Sequence, residues 1–573
     1  MTDTPVDTIR YSSSIFFRHR LMIPSRFRIL LVARFLVVTA LSVVTQAASF
    51  ADSRPNILWI SCEDISPNLG CYGDPHAVTP NLDQLAADGV RFDAAFTPAG
   101  VCAVVRSSVI TGMYAPSIGS QHMRSRIVPP PHVKAFPELL RAAGYFCTNR
   151  SKTDYQFEPT PNIWDRQGND HKDWRERPDP RQPFFSVVNL TVCHESKIRH
   201  SQSDHEKVIQ RIGKKNQRDP DKVGDTLPDY LPNTPAARKN WAWYHDNITL
   251  MDQMAGEVLT RLEQDGLADN TLVVFWSDHG MGMPRGKRWI YDSGTHIPMI
   301  MRWPEHLDAG SAREDLTTTV DLAQTMLSVA GVDVPSHLQG RVLVGKNRQD
   351  EPPYLFFHRD RMDEVYELQR GARDRRWKYI RNYMPERTYA QRIDYMDEMP
   401  AMRDWRRLAA EGKLVGGQKN WFVKTKPIEE LYDTENDPWE LDNLAANDQY
   451  ADRLARMRNA TQSWQEQIGD LGMIPEAVLM GEMKPGGLTP QVQPPVPRIV
   501  GGKVAFQSPT EGASVVYRVQ RPGDRWDDWQ LLTKSLALPS GSTIEAIACR
   551  IGFQDSKPVR HTASNEEISR RRP

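Results

Sequence analysis

Residues 100–112 read Gly-Val-Cys-Ala-Val-Val-Arg-Ser-Ser-Val-Ile-Thr-Gly, an apolar run that holds one thiol, Cys102, and one cation, Arg106. A helix that begins at Cys102 places Arg106 on the same face, one turn further along. Its N-terminus presents free N–H groups and a positive dipole end to an anion. The stretch therefore predicts a site for nucleophilic attack on an oxyanion or, taken alone, a buried structural cysteine in a core helix.

The composition limits the classes of partner. The chain has 573 residues, enough for roughly two to four domains, and its 72 Lys+Arg balance its 72 Asp+Glu. Such a chain has no overall field to attract nucleic acid or an anionic membrane, so we expect no nucleic acid partner. Of its six cysteines, five remain once Cys102 is set aside, so at least one stays unpaired and no disulfide framework is expected.

The N-terminus has the pattern of a secretory signal. Arg26, Arg28 and Arg34 precede an apolar run over residues 35–44, and Ser49-Phe50-Ala51 is a small-x-Ala exit. The apolar run is too short to span a membrane comfortably. We predict a signal peptide over residues 1–51, export to the periplasm or the medium, and no stable membrane anchor.

Short apolar strands alternate with helices along the first half of the chain. The predicted strands cover residues 55–60, 184–190, 271–276 and 298–302, and the predicted helices cover 81–90, 137–145 and 243–264. This order predicts an α/β fold with a mostly parallel sheet sandwiched by helices. The charged, proline-broken residues 197–235 are predicted to form a long surface loop.

Polar pairs follow three of the predicted strands. The pairs are Glu63-Asp64, His194-Glu195 and Asp278-His279. The carboxyl ends of parallel strands form the edge at which such folds place their sites, so we expect the three pairs to converge. Adjacent carboxylates at a buried strand end repel each other unless a cation lies between them, and a solvated turn is the alternative.

With these residues identified, the chain resembles the sulfatase family, which has an alkaline-phosphatase-like fold, over residues 54–475. The ordered matches are Glu63-Asp64, Cys102-x-x-x-Arg106-Ser107-Ser108-x-x-Thr111-Gly112, Ser277-Asp278-His279-Gly280, Lys287 with Tyr291-Asp292-Ser293-Gly294, and residues 430–440. The resemblance is strongest to heparan N-sulfatase-like enzymes and bacterial glycan sulfatases. It implies a sulfuric ester hydrolase whose substrate is a sulfated saccharide, with N-sulfoglucosamine sulfohydrolase as one candidate activity.

The resemblance also implies a modified nucleophile. A formylglycine-generating enzyme would oxidise Cys102 to formylglycine, whose hydrated gem-diol attacks sulfur. A plain thiol or alcohol would leave a sulfated enzyme that water must hydrolyse. A gem-diol instead expels sulfate by collapsing to the aldehyde, so the second step becomes intramolecular.

Family roles carry over to single residues. The implied metal ligands are Glu63, Asp64, Asp278, His279 and the modified Cys102. They would hold a hard divalent cation, calcium in the first place and another divalent ion as the alternative. The implied catalytic residues are Arg106, which holds the diol and the carboxylates, Lys152 and Lys287, which grip sulfate oxygens, and His194, the general acid.

Two positions depart from the family pattern. Val104 stands where the family has proline, within the segment read by the modifying enzyme, and Asp154 stands where it commonly has histidine. Asp154 is therefore a candidate base for collapse of the diol. Two other functions stay open: a phosphodiesterase or phosphonate hydrolase of the same fold, and an unmodified, non-catalytic protein that binds sulfated glycans.

A charged run follows a predicted strand over residues 354–357. It contains His358, Arg359 and Arg361. These side chains are predicted either to contact anionic groups of the substrate or to form a solvated charge run.

The pattern predicts six segments. They are a signal peptide (1–51), a catalytic domain (52–364), a small antiparallel α+β C-terminal subdomain (365–480), a linker (481–498), an accessory β-sandwich (499–563) and a disordered tail (564–573). Trp526 and Trp529 of the accessory segment are predicted either to stack on sugars or to pack against the catalytic domain.

Overall fold

A computed structural model of the protein describes residues 54–169 and 173–564, so the predicted signal peptide and residues 565–573 of the predicted tail lie outside the described residues. In the described part, the strands are β1 (Asn56–Cys62), β2 (Val90–Phe92), β3 (Ala95–Phe96), β4 (Phe146–Arg150), β5 (Arg166–Gly168), β6 (Phe184–Leu190), β7 (Thr271–Ser277), β8 (Met299–Arg302), β9 (Ser311–Arg313), β10 (Thr317–Thr318), β11 (Leu355–Arg359), β12 (Gln369–Arg373), β13 (Trp377–Asn382), β14 (Glu429–Asp433), β15 (Val496–Val500), β16 (Lys503–Gln507), β17 (Ser514–Gln520), β18 (Gln530–Leu531), β19 (Thr543–Cys549) and β20 (Val559–Thr562).

The α-helices of the same residues are α1 (Pro80–Ala87), α2 (Cys102–Thr111), α3 (Ala115–Ile118), α4 (Phe136–Ala142), α5 (Glu195–Ile198), α6 (Gln202–Ile212), α7 (Pro235–Gln264), α8 (Asp292–Thr295), α9 (Asp321–Val329), α10 (Asp394–Asp397), α11 (Pro400–Ala410), α12 (Ala451–Ile468) and α13 (Glu476–Met483). Short 3-10 helices cover Gly70–Tyr72, Trp174–Glu176, Lys214–Asn216, Ala268–Asn270, Gly416–Phe422, Leu444–Ala446, Asp448–Tyr450, Leu471–Met473 and Pro485–Gly487.

Eight strands form the central sheet in the order β5-β4-β6-β1-β7-β8-β2-β9. Strands β5 to β7 of this order are mutually parallel, and β8 runs antiparallel to both of its neighbours. Strands β1, β6 and β7 are buried along their whole length, which explains their nearly continuous apolar sequences. The predicted mostly parallel sheet covered by helices is confirmed.

Helix α2 begins at Cys102, as predicted, and all ten of its residues are buried. It ends at Gly112, whose φ of 65° is the left-handed conformation that favours glycine at a helix end. Val101, the residue before the helix, has no side chain that can cap it. The first N–H groups of α2 are therefore open to a partner at Cys102.

Two helical segments differ from the prediction. Helix α7 begins at Pro235, eight residues before the predicted start, because Thr234 accepts a hydrogen bond from Ala237 N and proline suits the first helical turn. The predicted loop over 197–235 contains helix α6, which is a correction. Its Val208 and Ile212 are buried at helical spacing, a signal that the surrounding charges masked.

The C-terminal part contains antiparallel sheets. Strands β11-β12-β13-β14 form one sheet, which confirms the antiparallel strands expected between residues 365 and 383. Strands β15-β16 and β18-β17-β19-β20 form two more. Trp526 and Trp529 lie 4.9 and 4.8 Å from the guanidinium of Arg518, so both rings pack on their own small sheet.

Within residues 54–169 and 173–564, no helix combines the length and the apolar character that a membrane crossing requires.

Candidate active site

The three polar pairs meet the start of α2 at the carboxyl edge of the central sheet. Glu63 and Asp64 follow β1, and Asp278 and His279 follow β7, which pairs with β1 in register. The ligand atoms of Cys102, Asp278 and His279 lie within 4.8 Å of one another. The corresponding atoms of Glu63, Asp64 and His194 form a second group of the same size.

The two groups are joined by Asp64, and their arrangement fits a cation. The backbone N–H of Asp64 donates to Asp278 Oδ1 (3.2 Å), and Asp64 Oδ1 lies 3.0 Å from His279 Nε2. His279 Nδ1 donates to the carbonyl of Gly280 (2.9 Å), which leaves Nε2 facing the carboxylate. Neither Asp64 Oδ1 nor His279 Nε2 has a hydrogen-bond partner among the described residues.

Buried carboxylates at this density require positive charge between them. Without a metal, a proton on His279 supplies part of it. Burial alone would lower the pKa of His279, but Asp64 and Asp278 outweigh burial and raise it to about 10. Burial raises the pKa of Glu63. Three carboxylates and one imidazole form a donor set that a hard divalent cation can occupy in place of the proton.

Arg106 ties the helix that carries Cys102 to this cluster. Its Nε and Nη2 each lie 3.0 Å from Asp278 Oδ2, and its Nη1 donates to Asn189 Oδ1 (2.7 Å). Burial opposes the charge on Arg106, but Asp278 and Glu63 raise the pKa of its guanidinium. Arg106 therefore stays charged and fixes the carboxylate of Asp278.

Lys152 and Lys287 bring two ammonium groups to the same edge. Lys152 Nζ contacts Glu63 Oε1, and Lys287 Nζ donates to Asp64 Oδ2 (2.6 Å). Burial would raise the pKa of Asp64, but Lys287 and His279 hold it well below its usual range. The two lysines flank the carboxylates, where they can hold the oxygens of an anion.

Sequence reasoning missed Asn189, at the end of β6. Its Oδ1 accepts from Arg106 and from Ser61 Oγ (2.6 Å), and its Nδ2 donates to the carbonyl of Lys152 (3.0 Å). One amide thus connects α2 to the loop that carries Lys152. Its place in an apolar strand, Phe-Phe-Ser-Val-Val-Asn-Leu, was the available signal.

The sequence identifies Glu195 only as one half of a polar pair, and it predicts no role for Arg288. Glu195 accepts two hydrogen bonds from Arg288, at 2.8 and 2.9 Å, and Arg288 Nε donates to Asp363 Oδ2 (2.6 Å). The backbone N–H of Glu195 also donates to Asp64 Oδ2 (2.8 Å). This buried network joins the loop of Lys287 to the segment after β6.

Comparison with known proteins decides the family. The Sulfatase family pattern matches residues 55–170 and 172–332, and the pattern described as N-sulphoglucosamine sulphohydrolase, C-terminal, matches residues 281–403. The chain is 39% identical to an ulvan-active sulfatase of Formosa agariphila over 549 residues, which cover 89% of this chain and 92% of that protein. The protein belongs to the sulfatase family.

More distant relatives match about three quarters of the chain. The sulfatase is 28% identical to human N-sulphoglucosamine sulphohydrolase over 494 residues, which cover 77% of this chain and 95% of that protein. The solved phosphonate monoester hydrolase of Agrobacterium radiobacter shares its fold, with a TM-score of 0.51 and 19% identity, and the match covers 72% of this chain and 96% of that one. The family makes the protein a sulfuric ester hydrolase.

His194 of the sulfatase lies beside Glu63 and Asp64 and is less buried than either. Its Nδ1 accepts from the backbone N–H of Ser196 (3.4 Å) and lies 2.9 Å from Ser196 Oγ, which leaves the proton of the neutral ring on Nε2. Burial, followed by the charge of Lys287, lowers the pKa of His194 to about 4. A neutral His194 at pH 7 can donate a hydrogen bond to a departing oxygen.

Asp154 lies in a strained loop beside Lys152. Its Oδ2 is 3.6 Å from Lys152 Nζ. Ser151, Asp154 and Gln156 have φ of 69°, 55° and 65°, which is uncommon for residues other than glycine. Strain of this kind persists only where surrounding contacts hold it, and it concentrates at active sites.

The charged run begins within β11, at His358 and Arg359, and forms a separate group. The side chains of His358 and Arg359 have no exposed surface, so a solvated charge run is wrong for these two residues. The guanidinium of Arg359 lies 4.2 Å from the ring of Trp289, and Arg361 forms two hydrogen bonds, at 2.6 and 2.7 Å, with Glu476. Contact of these three residues with a substrate stays a prediction.

Proposed function

We propose that this sulfatase hydrolyses O-sulfate esters or N-sulfate groups of a glycan, with formylglycine derived from Cys102 as its nucleophile. The observation that supports this most directly is the buried meeting of Cys102, Asp278 and His279 at the start of α2. A thiol that only packed in the core would not need a carboxylate and an imidazole beside it. Cys102 is placed for reaction at an anion held by the same cluster.

A divalent metal fits the same cluster, with calcium as the first candidate. Glu63, Asp64, Asp278 and His279 would hold it, together with the modified Cys102. Asp64 Oδ1 and His279 Nε2 support this assignment, because they face each other at 3.0 Å and neither forms a hydrogen bond in the described part of the chain. Such an ion would polarise the oxygens of the sulfate group and lower the pKa of the nucleophile.

Formylglycine would supply a hydrated aldehyde as the attacking oxygen. The geometry of α2 is compatible with valine at position 104, where the family has proline. Val104 is the third residue of α2 and fully buried, and both valine and proline are compatible with the first turn of a helix. The fold therefore does not require valine in place of proline at this position. Modification of Cys102 by a formylglycine-generating enzyme is part of the proposal.

The remaining residues divide the work on the substrate. Lys152 and Lys287 hold sulfate oxygens by charge, and Arg106 keeps Asp278 oriented. His194 donates from Nε2 to the sugar oxygen or nitrogen as its bond to sulfur breaks, and the general-acid role requires His194 to gain a proton, which the bound anion favours. Asp154 accepts a proton in the second half of the reaction.

The named relatives direct the choice of glycan. The relative at 39% identity is named for activity on ulvan, and the human relative for N-sulphoglucosamine. We propose sulfated oligosaccharides of ulvan as the first substrate class and N-sulfated glucosamine as the second. Export through the N-terminal signal peptide would bring the protein to such polymers.

Two kinds of measurement test the proposal. The full chain should hydrolyse an aryl sulfate faster than an aryl phosphate diester, since a phosphodiesterase or phosphonate hydrolase would show the reverse preference. Mass spectrometry of the peptide that contains Cys102 should show a species lighter than cysteine, in which oxygen has replaced sulfur. An unmodified peptide together with binding of sulfated glycans would establish the non-catalytic alternative. The Cys102→Ala variant is the control for both.

A further inference from the structure

One aromatic side chain from the C-terminal part stands beside His194. Tyr395 belongs to α10, whose neighbours Ile393 and Met396 are buried. The backbone N–H of Asp394 donates to Glu364 Oε1 (2.7 Å), and Arg406 donates to Asp397 Oδ1 (2.8 Å). The turn is therefore anchored on both sides, yet 37% of Tyr395 remains exposed.

Its ring is held next to the catalytic edge. The centroid of the Tyr395 ring lies 6.2 Å from that of His194. The guanidinium of Arg199 lies 4.3 Å from the Tyr395 centroid, and that of Arg288 lies 5.9 Å away. Arg199 also pairs with Glu398. Cation–π contacts of this kind hold the ring in one orientation before any ligand arrives.

His194 is close to two different kinds of surface. Its ring lies near Glu63 and Asp64, which belong to the charged cluster that would hold the sulfate group. Its ring also lies near that of Tyr395, a large and partly exposed aromatic surface. A sugar whose departing oxygen meets His194 therefore has the Tyr395 ring within reach. Aromatic walls with a few convergent polar groups are the usual lining of small-ligand sites.

We propose that Tyr395 forms the wall of a saccharide-binding subsite that packs against the sugar carrying the departing oxygen. Arg199 is a positioning residue that fixes the Tyr395 ring. The inference rests on the proposed function, because His194 locates the sugar. The subsite would be the point at which the C-terminal part of the chain contributes to the choice of substrate.

The test compares two sizes of substrate on the full chain. The probes are 4-nitrophenyl sulfate and whichever of sulfated ulvan oligosaccharides or N-sulfated glucosamine the wild type hydrolyses faster. For Tyr395→Ala, we expect kcat/KM on the saccharide to fall about tenfold more than on the aryl sulfate, mainly through KM. Tyr395→Phe should stay within about twofold of the wild type. Tyr517→Ala, on strand β17, is the control.

Equal losses on both substrates in Tyr395→Ala would show a structural role and overturn the inference, as would no loss on the saccharide. If the wild type hydrolyses neither class, the proposed function fails separately. In that case, binding of the same saccharides is measured by calorimetry. About tenfold weaker binding by Tyr395→Ala than by the wild type supports the subsite. Equal binding by the two proteins, or no binding by the wild type, overturns it.

Arg199 has its own readout. Arg199→Met should raise KM for the saccharide with kcat little changed, because the Tyr395 ring loses the nearer of its two cations while His194 keeps its place. Arg199→Lys should restore part of the affinity, since an ammonium group can also lie against an aromatic face. Failure of lysine to restore any affinity, or a loss confined to kcat, would contradict the positioning role.

Discussion

Asn189 Oδ1 accepts a hydrogen bond of 2.7 Å from Arg106 Nη1, across 83 residues of sequence. The same side chain donates through Nδ2 to the carbonyl of Lys152 (3.0 Å). The buried amide of Asn189 thus positions both Arg106, which holds Asp278, and Lys152, which contacts Glu63. Any change in that amide should affect both.

Asn189→Ala should therefore lower kcat/KM on an aryl sulfate by roughly 10- to 100-fold, the range found when a group that orients a ligand residue is removed. The loss should occur although Asn189 contacts no metal ligand itself. Steady-state kinetics of the purified variant provide the measurement, and Asn347→Ala, an exposed amide bonded to Ser328, serves as the control. Wild-type kinetics in Asn189→Ala would refute the positioning role.

Removal of divalent metal should abolish sulfate hydrolysis and lower the melting temperature. The reason is that Glu63, Asp64 and Asp278 lose the cation that offsets their repulsion, and a ligand that binds only the folded state stabilises it. Activity and melting should be measured after chelation and dialysis, then after addition of calcium, magnesium or manganese. Recovery with calcium alone supports the assignment, and full activity in a demonstrably metal-free sample contradicts it.

Asp154→Asn should release one burst of desulfated product and then stop, because the second half of the reaction lacks its base. Rapid-quench measurement of product per enzyme is the direct assay. Glu158→Gln is a suitable comparison, since Glu158 is an exposed carboxylate in the same loop region. Unchanged steady turnover in Asp154→Asn would exclude this role.

Arg288→Met should destabilise the folded state by about 3–5 kcal/mol, since it leaves the buried carboxylate of Glu195 without its partner. The double variant with Glu195→Gln should lose less than the sum of the two single variants. Urea unfolding measures both effects. Arg181→Met, which removes an exposed partner of Asp179, should produce no measurable change. Additive losses in the double variant would mean that the pair is not coupled.

Asp470 should make stability depend on pH in the acid range. It accepts hydrogen bonds from Arg370 Nε (2.6 Å) and Nη2 (2.8 Å). Burial raises its pKa, but Arg370 outweighs burial and lowers the pKa from 3.8 to about 2. The stabilisation is therefore complete above the unfolded value and is lost as pH falls through the folded one.

At neutral pH, Asp470→Asn should be less stable than the wild type by about 2 kcal/mol. The difference should shrink between pH 4 and pH 2, where the wild-type carboxyl becomes protonated. Chemical unfolding at several pH values measures it, and the variant keeps an oxygen that can accept from Gly472 N. A difference that stays constant down to pH 2 would show that charge on Asp470 is not the cause.

Local sequence patterns were enough to predict the α/β fold, the start of α2 at Cys102 and the convergence of Glu63, Asp278 and His279. These follow from local signals: apolar runs of strand length, a thiol and an arginine at i and i+4, and polar residues directly after buried strands. Such signals act within a few residues and are read without knowing the packing. The helix hidden in 197–235 was missed because charges diluted its apolar spacing.

Only the folded structure shows the contacts of Asn189, Arg288 and Tyr395 and the burial of His358 and Arg359. Arg288 and Glu195 are 93 residues apart, and Tyr395 reaches His194 from a different part of the chain. No periodicity or cap relates residues at such separations. Their contacts arise only when the folded elements bury charge and must satisfy each buried donor and acceptor with whichever partner the packing brings near.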